Sequence, residues 1–92
     1  MSQIFTKARR LRLNKAAREG RPITLQEAAD AMGIERAQLN RIELGKTTAI
    51  RFDILTAICR YYEVEVGDVL EYDPNIIPPN RARHSLAARL GG

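Results

Sequence analysis

The side chains in this sequence best suited to hydrogen-bonded recognition lie within six consecutive positions: Arg36, Gln38, Asn40 and Arg41. An arginine can donate two hydrogen bonds to O6 and N7 of guanine, and an asparagine can form a matching pair with adenine. Only Leu39 and Ile42 are firm apolar positions in this stretch at helical spacing. The segment is therefore predicted to be a short helix, from about Arg36 to Leu44, with most of its surface polar.

Catalytic and metal-binding chemistry find little support elsewhere in the chain. Cys59 and His84 are single residues of their type, and together they cannot form a conventional zinc site. Ser85 follows His84 directly, but no third group orients the two for nucleophilic catalysis. Cys59 is interpreted as a small core residue, with a redox sensor as the alternative. We expect no enzyme activity and no cofactor.

Charge is distributed unevenly along the 92 residues, which carry a net charge of +4. Residues 1–18 contain six basic residues and no acidic one, whereas residues 63–73 contain five acidic residues and no basic one. One end of the molecule is thus suited to phosphates and the other is not. An acid-free start is also typical of a transit peptide, but this one lacks serine enrichment. We expect one cytoplasmic domain without a membrane span.

The helix predicted from about Arg36 to Leu44 follows another predicted helix, whose two ends are clearly marked in the sequence. Thr24 and Glu27 have the spacing of a capping box, in which each side chain accepts a hydrogen bond from a backbone N–H of the other residue. Leu25, Ala28, Ala29 and Met32 then follow the spacing of a buried face, and Gly33 ends the helix. Two short helices joined by a glycine-containing turn are typical of a helix-turn-helix.

Three further helices are predicted around this pair. The first runs from Ile4 to Glu19, with Ile4, Ala8 and Leu11 inward and Leu13 off that stripe. The fourth runs from Phe52 to Tyr62, and a brief fifth lies at Asp68 to Leu70. Residues 1–72 are predicted to form the domain and residues 73–92 a basic, proline-containing tail, in which residues 85–90 could form a helical turn.

These features resemble the Cro/C1-type, or XRE, family of helix-turn-helix regulators. The resemblance rests on ITLQEAADAMGIERAQLNRIELGKT at residues 23–47 and IRFDILTAICRYYEVEVGDVLEY at residues 50–72. It implies an all-α, five-helix fold similar to the lambda repressor domain. It also implies binding to double-stranded operator DNA as a homodimer, with the third helix in the major groove.

The same resemblance assigns contacts to positions of this chain. Arg36, Ala37 and Asn40 match positions that meet base edges, and Gln38 and Arg41 flank them. The residues expected to reach the DNA backbone, which set register rather than sequence preference, are Thr24, Gln26, Lys46, Thr47, Thr48 and Arg51.

Two departures from the family pattern concern helix ends. Glu35 stands where the family usually has a serine or threonine N-cap, and Leu25 stands where several phage repressors carry a phosphate-binding glutamine. A second acidic residue, Glu43, matches one that relatives pair with an arginine of the first helix. Arg10 and Arg12 are the two candidates for that partner.

A late apolar group is larger than a short helix can bury alone, so it is predicted to form the dimer interface or to pack back onto the domain. Its members are Val66, Val69, Leu70, Tyr72, Ile76 and Ile77.

Three functions remain open at this point. The first is an autonomous transcriptional regulator, most simply a repressor, of bacterial or phage type. The second is an antitoxin of the HigA-like kind, which would use residues 76–90 to bind a toxin. The third is a coactivator or scaffold without sequence-specific DNA binding. Its affinity for DNA would vary with the salt concentration but not with the base sequence.

Overall fold

A computed structural model describes residues 4–75 of the chain. Within that range the chain forms five helices and two short strands. In chain order they are β1 (Ile4–Thr6), α1 (Ala8–Glu19), α2 (Leu25–Met32), α3 (Arg36–Glu43), α4 (Phe52–Tyr62), α5 (Val66–Val69) and β2 (Leu70–Tyr72). The five-helix prediction is confirmed, and the bounds of α4 agree with the sequence prediction at both ends. Of the predicted tail, only residues 73–75 lie within the described part.

The prediction of a first helix starting at Ile4 is wrong, because Ile4–Thr6 form a strand and α1 begins at Ala8. β1 pairs antiparallel with β2, with Ile4 opposite Tyr72 and Thr6 opposite Leu70. Leu70, which was assigned to the fifth helix, therefore belongs to a strand. We call this pair the β1–β2 ribbon. Its partner strands lie more than 60 positions apart, so the local spacing in β1 carries no information about the pairing.

The core lies between the helices and is formed by small and branched apolar side chains. Ala28 and Ala29 of α2 are fully buried, and their small size allows close approach of the neighbouring helices. Leu39 and Ile42 of α3 are buried as predicted, at 0% and 3% exposure. Leu13 is exposed, so α1 faces the core through Ala8, with Leu11 and Ala16 packed beside it.

One ion pair joins α1 to the last residue of α3. The Arg12 guanidinium donates from Nε and one terminal nitrogen to the two carboxylate oxygens of Glu43, at 2.8 and 2.9 Å, and from the other to the Ile23 carbonyl at 2.8 Å. The Glu43 side chain is only 4% exposed. Hydrogen bonding to Glu43 raises the pKa of Arg12 above its usual range. Of the two candidate arginines, Arg12 is thus the partner, and it fixes α3 against α1.

Candidate nucleic-acid interface

The two ends of α2 determine the position and orientation of α3, which follows it. The Thr24 hydroxyl accepts a hydrogen bond from the Glu27 backbone N–H at 3.0 Å, which closes the start of α2. The second half of the predicted capping box is absent, because the Glu27 carboxylate binds Arg21 at 2.8 and 3.1 Å instead. That contact lowers the pKa of Glu27. Gly33 ends α2 with a φ of +75°, a conformation that favours glycine.

The outer face of α3 carries side chains available for an external partner. Arg36, Ala37, Asn40 and Arg41 are exposed, and Gln38 is half-buried. Within residues 4–75, the side chains of Arg36, Asn40 and Arg41 form no hydrogen bond or ion pair. Their donors and acceptors are exposed to solvent and are not used by other groups of the described residues. A ligand that offers matching acceptors can therefore bind them without breaking an internal contact.

The N-terminal end of α3 lacks a side-chain cap, as the family departure at Glu35 implied. Glu35 has the extended backbone of an N-cap residue, with φ −75° and ψ 144°, but its carboxylate accepts no hydrogen bond from the first turn. The side chain is exposed and points away from the core. Leu39 and Ile42 pack α3 against the core further along the helix, and its first turn, at Arg36 and Ala37, is open to solvent.

A concave groove lies between α3 and the loop that leads to α4. It is lined by Gln38 and Arg41 of α3 and, from the loop, by Lys46, Thr47, Thr48 and Arg51. The structure therefore brings four of the six predicted backbone contacts beside two of the five predicted base contacts. Thr24 and Gln26, at the start of α2, do not line this groove. The groove carries three cationic side chains, which suits it to a phosphate.

Several of the predicted phosphate contacts already have partners within the protein. The Gln26 amide donates to Asp30 at 2.8 Å, and the Thr47 hydroxyl donates to the Ala49 carbonyl at 2.6 Å. Arg51 pairs with Asp53 at 2.9 Å, but both side chains are well exposed. An exposed pair of this kind contributes little stability, so Arg51 can exchange it for a phosphate. Lys46 has no side-chain partner among the described residues.

The apolar residues predicted to form the dimer interface differ in their exposure. Val66 and Tyr72 are about half exposed, whereas Val69 is completely buried within the one chain. Val69 thus follows the second of the two predicted alternatives, since its side chain packs back into the core between α5 and the rest of the domain. Leu70 is half-buried in β2. Ile76 and Ile77 lie outside the described residues.

Sequence reasoning missed Phe52, the most exposed of the large apolar side chains in residues 4–75, at 84%. One groove beside it is lined by Ile4, Leu55 and Leu70, and a second by Leu55, Cys59 and Val66. We call this surface, centred on Phe52 and bounded by Ile4, Leu70 and Val66, the Phe52 patch. Phe52 lies on the same helical stripe as Leu55 and Cys59, so the local spacing does not mark it as exposed. Its position in the first turn of α4 carries it beyond the core.

The described residues contain neither a candidate metal site nor a candidate membrane span. Among residues 4–75, no group of histidine, cysteine and acidic side chains could hold a metal ion. None of the helices described there is long and apolar enough to cross a membrane.

Comparison with known proteins identifies the arrangement. Residues 12–75 match the family model of the Cro/C1-type HTH DNA-binding domain. Over 52 residues the chain is 40% identical to the uncharacterized HTH-type transcriptional regulator YozG of Bacillus subtilis (strain 168). That alignment covers 56% of this chain and 62% of the relative. No solved structure matches the chain significantly.

Proposed function

This chain belongs to the family of Cro/C1-type helix-turn-helix DNA-binding domains, and from that premise we propose that it is a sequence-specific regulator of transcription that binds double-stranded DNA through α3. The observation that carries the proposal is the row of exposed, unpartnered side chains on α3 next to a cationic groove. A helix in the major groove needs donors and acceptors on its outer face and an apolar inner face. α3 has both.

In the proposed complex, the first turns of α3 meet base edges. Arg36 binds guanine through O6 and N7, Asn40 binds adenine, and Ala37 packs against a thymine methyl group. Gln38 and Arg41 lie at the groove and bridge between base edges and the DNA backbone. These contacts make the preference for particular base pairs a property of five side chains on α3.

The loop after α3 fixes the register of the protein on DNA. Lys46 and Thr48 bind phosphate oxygens. The Thr47 hydroxyl does so after leaving the Ala49 carbonyl, and Arg51 reaches the sugar-phosphate edge after leaving Asp53. Thr24 and Gln26 contact the backbone from the start of α2, outside the groove. Such contacts supply affinity for all DNA sequences and very little discrimination among them.

The Lys46→Ala substitution tests this division of roles. We expect the variant to bind a preferred duplex and an unrelated duplex more weakly by a similar factor. The slope of log affinity against log salt should fall by about 1, because one fewer phosphate is neutralised. Fluorescence anisotropy with both duplexes across a salt series measures each quantity. Arg60→Ala is the control, because Arg60 lines a separate depression with Ala31 and Tyr61. An unchanged slope in Lys46→Ala contradicts the phosphate assignment.

We propose that the regulator acts as a homodimer through the Phe52 patch. Residues 47–50 line both the cationic groove and the groove beside Phe52. A second copy bound to the Phe52 patch would thus lie next to the DNA-binding face, as adjacent half-sites of an inverted repeat require. The flanking pairs Arg51–Asp53 and Lys7–Glu71 carry charges of both signs, which suits contact with an identical surface.

The Phe52→Glu substitution tests the dimer. Burial of an aromatic side chain at the centre of an interface contributes about 2 kcal/mol or more. We therefore expect the dimer dissociation constant to rise about 30-fold, as measured by sedimentation equilibrium. Leu13→Glu is the matched control, since Leu13 is an exposed leucine of α1 outside the Phe52 patch. A dimer that tolerates Phe52→Glu as well as Leu13→Glu has its interface elsewhere.

Occupation of an operator by such a dimer blocks access of other proteins to the same DNA, so we propose repression as the regulatory outcome. We propose that the chain acts where the DNA is, in the cytoplasm of a bacterium. The antitoxin alternative depends on residues 76–90, which lie outside the described residues, and no described feature favours it.

A further inference from the structure

We propose that Thr6 is a positioning residue for α3, and that the β1–β2 ribbon fixes the position of Thr6. The inference rests on the proposed function, because α3 is taken as the helix that contacts bases. It goes further by assigning a role in that contact to a residue that does not touch DNA.

The contact that carries the inference joins the first strand to the last turn of α3. The Thr6 hydroxyl donates a hydrogen bond to the Ile42 carbonyl at 2.7 Å, across 36 positions of sequence. Carbonyls in the last turn of a helix have no partner within the helix. The Ile42 carbonyl also accepts from the Gly45 N–H, but at the longer distance of 3.2 Å. Thr6 therefore provides the shorter of the two hydrogen bonds at this carbonyl.

The donor itself is held in place by the ribbon. Thr6 lies opposite Leu70 in the β1–β2 pairing. The next residue, Lys7, donates its backbone N–H to the Val69 carbonyl at 2.7 Å, and Val69 is completely buried. The Thr6 hydroxyl is thus attached to a hydrogen-bonded ladder anchored in the core, and its position is set by the fold rather than by side-chain rotation alone.

Two consecutive residues at the end of α3 are therefore held from the N-terminal segment. Ile42 is held by Thr6, and Glu43 is held by Arg12. One attachment is at a backbone carbonyl, which lies along the helix axis, and the other is at a side chain, which projects from the axis, so together they restrict both sliding and rotation of α3. Asn40 and Arg41 lie one turn or less from these points. Hydrogen bonds to bases weaken steeply with distance and angle, so a small rotation of α3 lowers affinity for the preferred sequence.

Contacts with phosphates are less sensitive to such a rotation, because long cationic side chains adjust and carry no sequence information. A loss of the Thr6 hydroxyl should therefore affect specific binding more than binding to unrelated DNA. A residue that only stabilises the fold would leave both affinities unchanged while the protein stays folded.

The test compares Thr6→Val, which removes the hydroxyl at nearly constant volume, with Thr6→Ser, which retains it. We expect Thr6→Val to bind the preferred duplex about three- to tenfold more weakly, the factor expected for one net hydrogen bond. Its affinity for an unrelated duplex should equal that of the wild type, and Thr6→Ser should lie within about twofold of the wild type on both. Thr6→Ala replaces the valine variant if that variant does not fold.

A second readout needs no DNA. Amide hydrogen exchange of the free protein should be faster at Leu44, Gly45 and Lys46 in Thr6→Val than in Thr6→Ser, with Ala28 of α2 unchanged. Equal loss of affinity for both duplexes, or no loss for either, overturns the inference. If the wild type itself shows no preferred duplex, the proposed function fails. The exchange rates then test, without DNA, whether Thr6 stabilises the end of α3. Unchanged rates at the end of α3 overturn that role of Thr6.

Discussion

The Arg12→Ala variant is expected to lose about 3–5 kcal/mol of unfolding free energy, because the substitution leaves the Glu43 carboxylate buried without a counter-charge. The Ile23 carbonyl loses its donor in the same variant. Such a loss is comparable to the total stability of a small domain, which is about 5 kcal/mol or somewhat more. Urea denaturation at low temperature, followed by circular dichroism, measures the change.

The matched control removes both charges. The double variant Arg12→Met, Glu43→Leu fills similar volume without burying a charge, and it should lie within about 1.5 kcal/mol of the wild type, with the Ile23 carbonyl as the main residual cost. A double variant as unstable as Arg12→Ala contradicts the explanation by an uncompensated carboxylate. In that case the lost hydrogen bond from Arg12 to the Ile23 carbonyl, rather than an unpaired carboxylate, accounts for the instability.

The second large effect concerns affinity. Arg36→Ala is expected to lose about 1–3 kcal/mol of binding free energy on the preferred duplex, or about 5- to 150-fold in affinity, because a bidentate contact to guanine is removed. Preference at that base pair should relax, and Asn40→Ala should have the same kind of effect at an adenine. Competition titrations against duplexes altered at single positions measure both the affinity and the preference.

Arg10→Ala removes the same kind of side chain from the exposed part of α1 and serves as the control. It should lower affinity for all duplexes slightly or not at all, without a change in preference. If Arg36→Ala and Asn40→Ala behave like Arg10→Ala, α3 does not read bases as proposed, and the assignment of the DNA-contacting surface is wrong.

Elements whose signals are local could be predicted from the sequence. The N-cap at Thr24, the left-handed turn at Gly33 and the inward positions Leu39 and Ile42 all depend on residues within one or two helical turns. The bounds of α4 follow from the same kind of spacing. These elements are also the ones that place α3, which explains why its exposed face could be identified before the structure.

Features that depend on a competing partner or on the extent of the core could not be predicted. Ile4–Thr6 continue an apolar helical stripe in sequence, but pairing with Leu70–Tyr72 makes a strand more favourable. Glu27 has capping-box spacing, yet Arg21 supplies a stronger, charge-assisted partner. Phe52 follows the core stripe of α4, although the core ends before it. In each case a competing partner or the limit of the core overrides a correct local rule.

Selection of binding sites from a random duplex library at near-physiological salt tests the central claim most directly. We predict enrichment of an inverted repeat whose half-sites lie about one helical turn apart, because a two-fold dimer places two copies of α3 in successive major grooves. Enriched half-sites without symmetry would retain base recognition but contradict the dimer. No enrichment at all, with binding that only weakens as salt rises, would contradict sequence-specific recognition by α3.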